Sequence, residues 1–243
     1  IAAFTTSQAR ALTGNQVAKL TATQLAAIAT DDFAALQTSA IAAIGTSQIS
    51  ALSTDQVVAL STAQARALTT SQLANMTTTQ VAAIQAADLT SMTTSQIAGF
   101  TAGQLNAMTG AQFGGLSTAQ IGALTTSQIA GLTTSQIANM TTVQASAFKA
   151  SQLAAMLTSQ VAAIGTADLA AMTTSQIAGF TTAQVSAFTT SQIQGLTPAQ
   201  VSSLTGVQLS KLSATQIAAI QTVDLAAMKT SQLSALGSTQ LAG

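Results

Sequence analysis

The side chains able to carry acid–base or nucleophilic chemistry are few and scattered. Asp31, Asp32, Asp55, Asp88, Asp168 and Asp224 are the only carboxylates, and the 243 residues contain no Glu, His, Cys, Trp or Tyr. Without His or Cys, the usual zinc ligand sets, a thiol nucleophile and a Ser-His-Asp triad are all ruled out. Asp31 and Asp32 are neighbours, but the other four are far apart, and the G-G-x-G-x-D pattern of calcium-binding repeats is absent. No catalytic, cofactor or metal residue is expected, and the chain reads as no enzyme. The carboxylates are expected to serve as partners of helix dipoles and as solubilising groups. Arg10, Lys19, Arg66, Lys149, Lys211 and Lys229 form no run and balance the six Asp. An electrostatic nucleic-acid binder needs a basic stripe, so none is expected. Gly114-Gly115 is no phosphate loop, and no apolar run approaches the 18 residues of a membrane span. The lack of cysteine gives no information about compartment.

What remains is periodicity. Octads fill the chain from Phe4 to Gly243, with the consensus [L/M/I/F]-T-T-S-Q-[I/V/L]-A-A. Position 1 is a large apolar residue in all 30 octads, and position 6 is large and apolar in 27, the exceptions being Ala9, Ala65 and Ala145. Position 5 is Gln in 25, with Asp32, Ala40, Asp88, Asp168 and Asp224 as exceptions. Residues 1–243 thus read as one continuous array. Ile1-Ala2-Ala3 read as positions 6–8 of an octad whose start is missing, so a piece of a longer array is expected.

The spacing predicts helices. Large apolar residues alternate in steps of five and three, whereas a strand places them two apart. Thr at position 2 suits an N-cap, and Gln at position 5 completes a capping box; positions 1 and 6 then form the hydrophobic staple. The single proline, Pro198, falls at position 3, the first helical residue, where Pro is favoured. Position 8 carries Gly99, Gly115, Gly131, Gly179 and Gly195 with Asn75 and Asn139, which predicts left-handed helix ends. A helix of one and a half turns cannot stand alone. An all-α solenoid, one short capped helix per octad, follows; a β-solenoid is the alternative, since short regular repeats are common there. Positions 1 and 6 are expected to be buried, and positions 3 and 4 to face water.

A second order overlies the octads. Asp32, Asp88, Asp168 and Asp224 are 56, 80 and 56 residues apart, and Ala9, Ala65 and Ala145 repeat the steps of 56 and 80. Segmental duplication explains this, as does one superhelical turn or binding unit per 17 octads. Where position 1 is Ile (Ile28, Ile44, Ile84, Ile164, Ile220), position 2 is never Thr or Ser, and four of these five octads carry Asp at position 5. A carboxylate in the first turn would partly replace the lost cap.

The L-T-x-x-Q-[I/V/L]-A-A-L string resembles the tandem arrays of very large secreted bacterial surface proteins. At 196–200 it is also similar to the L-T-P-x-Q helix starts of some eukaryotic α-superhelical surface proteins. The resemblance implies an extracellular or cell-surface rod, stalk, adhesin or filament whose partner is itself, and it supplies no catalytic residues. A binding module presenting a regular Thr face to ice, glycan or protein is the alternative.

Overall fold

The computed structural model describes residues 4–241. Ile1-Ala2-Ala3, read above as the end of a broken octad, and the last two residues of the final octad lie outside the described residues. Among the described residues there are helices and turns and no strand. Each octad carries one helix of four to six residues, from Thr6–Ala11 to Ser238–Leu241. The chain divides into two compact units, Ile1–Ala123 and Leu124–Gly243, and the boundary falls between two octads.

The local reason for the helices is the one the consensus implies. In octad 100–107, Thr101 has extended backbone and caps the helix Ala102–Asn106. The Gln104 N–H donates to Thr101 Oγ1 at 3.2 Å, and the Thr101 N–H donates to Gln104 Oε1 at 2.7 Å. These bonds occupy two amide donors that a helix start leaves free. Where position 2 lacks a hydroxyl, as at Gly45, Lys149 and Leu157, only the second half survives, with the cap N–H donating to Gln48, Gln152 or Gln160. Pro198 begins its helix, as its fixed φ and missing N–H favour.

Packing runs between helices three octads apart. In the first unit Gly14–Ala18 packs on Thr38–Ala42, Thr62–Ala67 on Ala86–Ser91, and Thr94–Ala98 on Thr118–Ala123. In the second unit Thr142–Ala145 packs on Thr166–Ala171, and Pro198–Ser203 on both Thr174–Ala178 and Thr222–Ala226. The staple residues fill the core: Ile97, Leu105, Ile177 and Val185 are fully buried, and Phe100 and Phe180 nearly so. Each contributes about 1.5–3 kcal/mol by leaving water. In octad 100–107 positions 1, 5 and 6 are buried while 2 and 4 are exposed, so the stripe includes a polar position as well as the two apolar ones.

The helix ends differ from expectation. Gly99, Gly115, Gly131, Gly179 and Gly195 are all right-handed, and no described residue has a positive φ. Asn75 ends its helix at φ −97° and Asn139 likewise, each side chain donating to a carbonyl four residues back, Ser71 or Ser135, at 2.8 Å. The residue is small for a packing reason instead. A Cβ on Gly99 would lie 3.0 Å from Thr70 Cβ, and one on Gly179 would lie 3.0 Å from Ala150 Cβ. Position 8 abuts position 3 of the helix three octads earlier.

Candidate functional site

The most elaborate chemistry in the molecule is a ladder of buried glutamines. Gln104 is 3 % exposed. Its Oε1 accepts from its own helix cap, and its Nε2 donates to the carbonyls of Leu73 and Met76 at 2.8 and 2.7 Å. Those carbonyls belong to the end of the helix four octads back, Thr70–Ala74, and the residue that opens the next octad. Helix C-termini leave carbonyls without intrahelical partners, so one side chain caps the start of its own helix and the end of an earlier one. The same pattern recurs at Gln56 with Leu25 and Ile28, at Gln184 with Leu153 and Met156, and at Gln200 with Leu169 and Met172. Gln48 likewise reaches Val17 and Leu20. The capping box was legible in sequence. The long-range half was not, because its acceptors are main-chain carbonyls that no residue type marks.

In three of the five octads where position 5 is not Gln, the donor moves. Gln37, Gln85 and Gln221 stand at position 2 of the octads carrying Ala40, Asp88 and Asp224. Their Nε2 groups donate to the carbonyls of Arg10, Val58 and Gln194 at 3.0, 2.6 and 2.6 Å, again four octads back. The loss of the cap hydroxyl in these octads therefore brings in a substitute for the missing bridge.

The six carboxylates do not converge, and among the described residues no three potential ligands gather as a metal group. Asp31 and Asp55 are exposed, whereas Asp32, Asp88, Asp168 and Asp224 are 7, 3, 7 and 1 % exposed. The solubilising role expected of all six is thus corrected for these four, because position 5 faces the core. Asp32 Oδ1 accepts from Thr6 Oγ1 at 3.1 Å, a residue three octads earlier. Burial raises the Asp88 pKa, opposed in part by the Thr62 hydroxyl across the same interval. Burial also raises Asp168, offset by the Gly165 N–H. A Cβ on Gly165 would stand 2.6 Å from Asp168 Oδ2, so a side chain there would require the carboxylate to turn. Asp224 is the exception. Neither of its oxygens has a hydrogen-bond partner, and burial raises its pKa against an opposing effect of the nearby Gln221 N–H. The residue three octads earlier that should supply a hydroxyl is Pro198.

The six cations are all exposed. The second unit ends in an apolar cleft of about 600 Å³ lined by Ile217, Ile220, Leu225, Leu233, Leu236 and Leu241. Its exposed position-6 residues, Leu225, Leu233 and Leu241, have no helix three octads on to cover them among the described residues. No described helix is long and apolar enough to cross a membrane.

Fold and ladder together define an all-α tandem-repeat protein whose side-chain chemistry is spent on joining one repeat to another. The ALTTAQ repeat matches at 25–62, 81–118, 111–142, 161–198 and 217–243, together more than half of the chain. The chain belongs to the ALTTAQ repeat family. No curated protein and no solved structure matches it.

Proposed function

We propose that this is a non-enzymatic structural array, wound as an α-solenoid, which serves as an extracellular or cell-surface rod, stalk or filament. The glutamine ladder carries the reading. It uses the polar groups at both ends of successive helices for internal joints, and the side chains left facing water are mostly Thr, Ser and Ala. Contacts at three octads and hydrogen bonds at four support a winding that returns on itself every three to four octads, well short of 17. The resemblance to tandem arrays of secreted bacterial surface proteins supports the cell-surface placing, as does the scarcity of Lys and Arg, which leaves few sites for trypsin-like proteases. Small-angle scattering and electron microscopy of the purified chain test the proposal. Elongated particles or filaments are the expected result. Rounded monomers that bind a glycan array or ice through positions 3 and 4 would favour the binding-module reading instead.

A further inference from the structure

Nearly identical octads pose a problem of register. The capping box is local, the staple residues resemble one another throughout, and Gln Nε2 bonds main-chain carbonyls that every octad possesses. An octad looped out of one turn would leave most later contacts chemically unchanged. The sequence differences that do discriminate lie in the Asp octads. Asp32, Asp88 and Asp168 each stand three octads after the sites where position 6 shrinks to Ala: Ala9, Ala65 and Ala145. The helix pairs concerned, Thr6–Ala11 with Thr30–Ala34, Thr62–Ala67 with Ala86–Ser91, and Thr142–Ala145 with Thr166–Ala171, pack directly on one another. Each Ala octad also carries a Thr at position 3; Thr6 bonds Asp32, and the Thr62 hydroxyl favours the charged form of Asp88.

We infer that these Asp–Ala–Thr pairings are register pins, which allow the array to wind with one octad opposite one partner only. Shifted by one octad, Asp168 would meet the octad of Ile137 or that of Leu153 in place of Ala145. Asp88 would meet Val57 or Leu73 in place of Ala65. A buried carboxylate against a large aliphatic side chain loses its room, a strong penalty on the wrong pairing, and opposite the octad of Leu153 it also loses its hydroxyl, since position 3 there is Ala150. Buried polar groups fix the register of coiled coils in the same manner. The 56 and 80 residue spacing is then the spacing of pins. Asp224 is an internal control: its partner octad carries Pro198 and Val201, and its oxygens are unpartnered, so it pins nothing.

The test reads register by cross-linking, since the chain has no cysteine of its own. Ala150→Cys with Gly179→Cys reports on the second unit near Asp168, where the two Cβ positions are 3.0 Å apart. Gly206→Cys with Ala235→Cys reports near Asp224, at 2.9 Å. The chain is unfolded, refolded under oxidising conditions and scored for disulfide closure, with helicity followed by circular dichroism. In the parent background both pairs should close almost completely. Asp168→Gln with Ala145→Ile should restore helicity and yet leave at least several-fold more of the 150/179 pair unclosed. Asp224→Gln should leave closure of the 206/235 pair unchanged. If the Ala145→Ile variant does not regain helicity, Asp168→Gln alone takes its place, with the same expectation. Complete closure with full helicity in the Asp168 variant would overturn the inference, as would equal loss at both sites.

Discussion

A glutamine at position 5 does three jobs at once, and its substitutions separate them. Gln104→Ala removes the acceptor for the Thr101 N–H and the donor to Leu73 and Met76. Each group left buried and unpaired costs about 1–3 kcal/mol. Gln24 is exposed and bonds only its own cap, the Thr21 N–H, so Gln24→Ala should cost less. Gln104→Glu is the sharper probe. It keeps an acceptor for the cap but turns a carboxylate oxygen on two carbonyls, so at neutral pH it should destabilise at least as much as Ala. Part of the loss should return in acid, when the protonated carboxyl can donate. Urea denaturation at two pH values measures all three variants. The buried aspartates give a pH dependence of definite sign. Burial raises Asp88, Asp168 and Asp224 above the ordinary carboxylate value. The folded chain therefore holds protons that the unfolded chain has already released, and stability falls as pH rises between the two values. The contribution is fully present below the unfolded value and lost above the folded one. Asp224, with no partner for its charge, should account for the part that Asp224→Asn abolishes in a series of melting temperatures from pH 3 to 7.

At the scale of the element, the octad is a helix only by association. Four to six residues make too few hydrogen bonds to offset nucleation, and each helix is completed by others three and four octads away. Residues 68–91, three octads, contain no such pair, whereas residues 28–123 contain many. The shorter peptide should give a coil spectrum in far-UV circular dichroism, and the longer one minima near 208 and 222 nm. A helical spectrum from the short peptide would show that local capping suffices. This division also marks how much could be read in advance. The helix, its cap, its staple and the place of Pro198 were legible because each rests on residues within one octad. Position 8 was misread because Gly99 answers to Thr70, 29 residues back, not to its own helix end. The aspartates were read correctly as first-turn residues of their helices, but their burial was missed, because what covers position 5 lies three octads away. Local chemistry is written along the chain; partners become visible only once the distance at which the chain returns is known.

For the whole molecule, the question is what the outward faces do when many copies meet. With six cations and six carboxylates the net charge is zero, and four of the carboxylates are buried. Exposed charge is therefore sparse, and long-range repulsion between copies is weak. The outward positions repeat Thr, Ser and Ala at an eight-residue interval, so a contact between two copies that works at one octad works equally at the next. Such contacts add along the array, and association of this kind depends little on salt, because screening has few charges to act upon. Val143, Val207 and Val223, each more than half exposed at position 4, add apolar points to the same face. We therefore expect concentration-dependent lateral association of the purified chain that is insensitive to salt between about 50 and 500 mM, a range over which the Debye length shortens about threefold. Replacing exposed position-4 residues such as Ser127, Ser135, Val143, Ser151 and Ser159 by Lys should abolish it while leaving the melting temperature nearly unchanged, since surface substitutions cost little. Light scattering at several concentrations, paired with electron microscopy, measures both. Monodisperse particles at every concentration and salt would refute lateral assembly. Association that the lysine variants retain would place the contact elsewhere on the array.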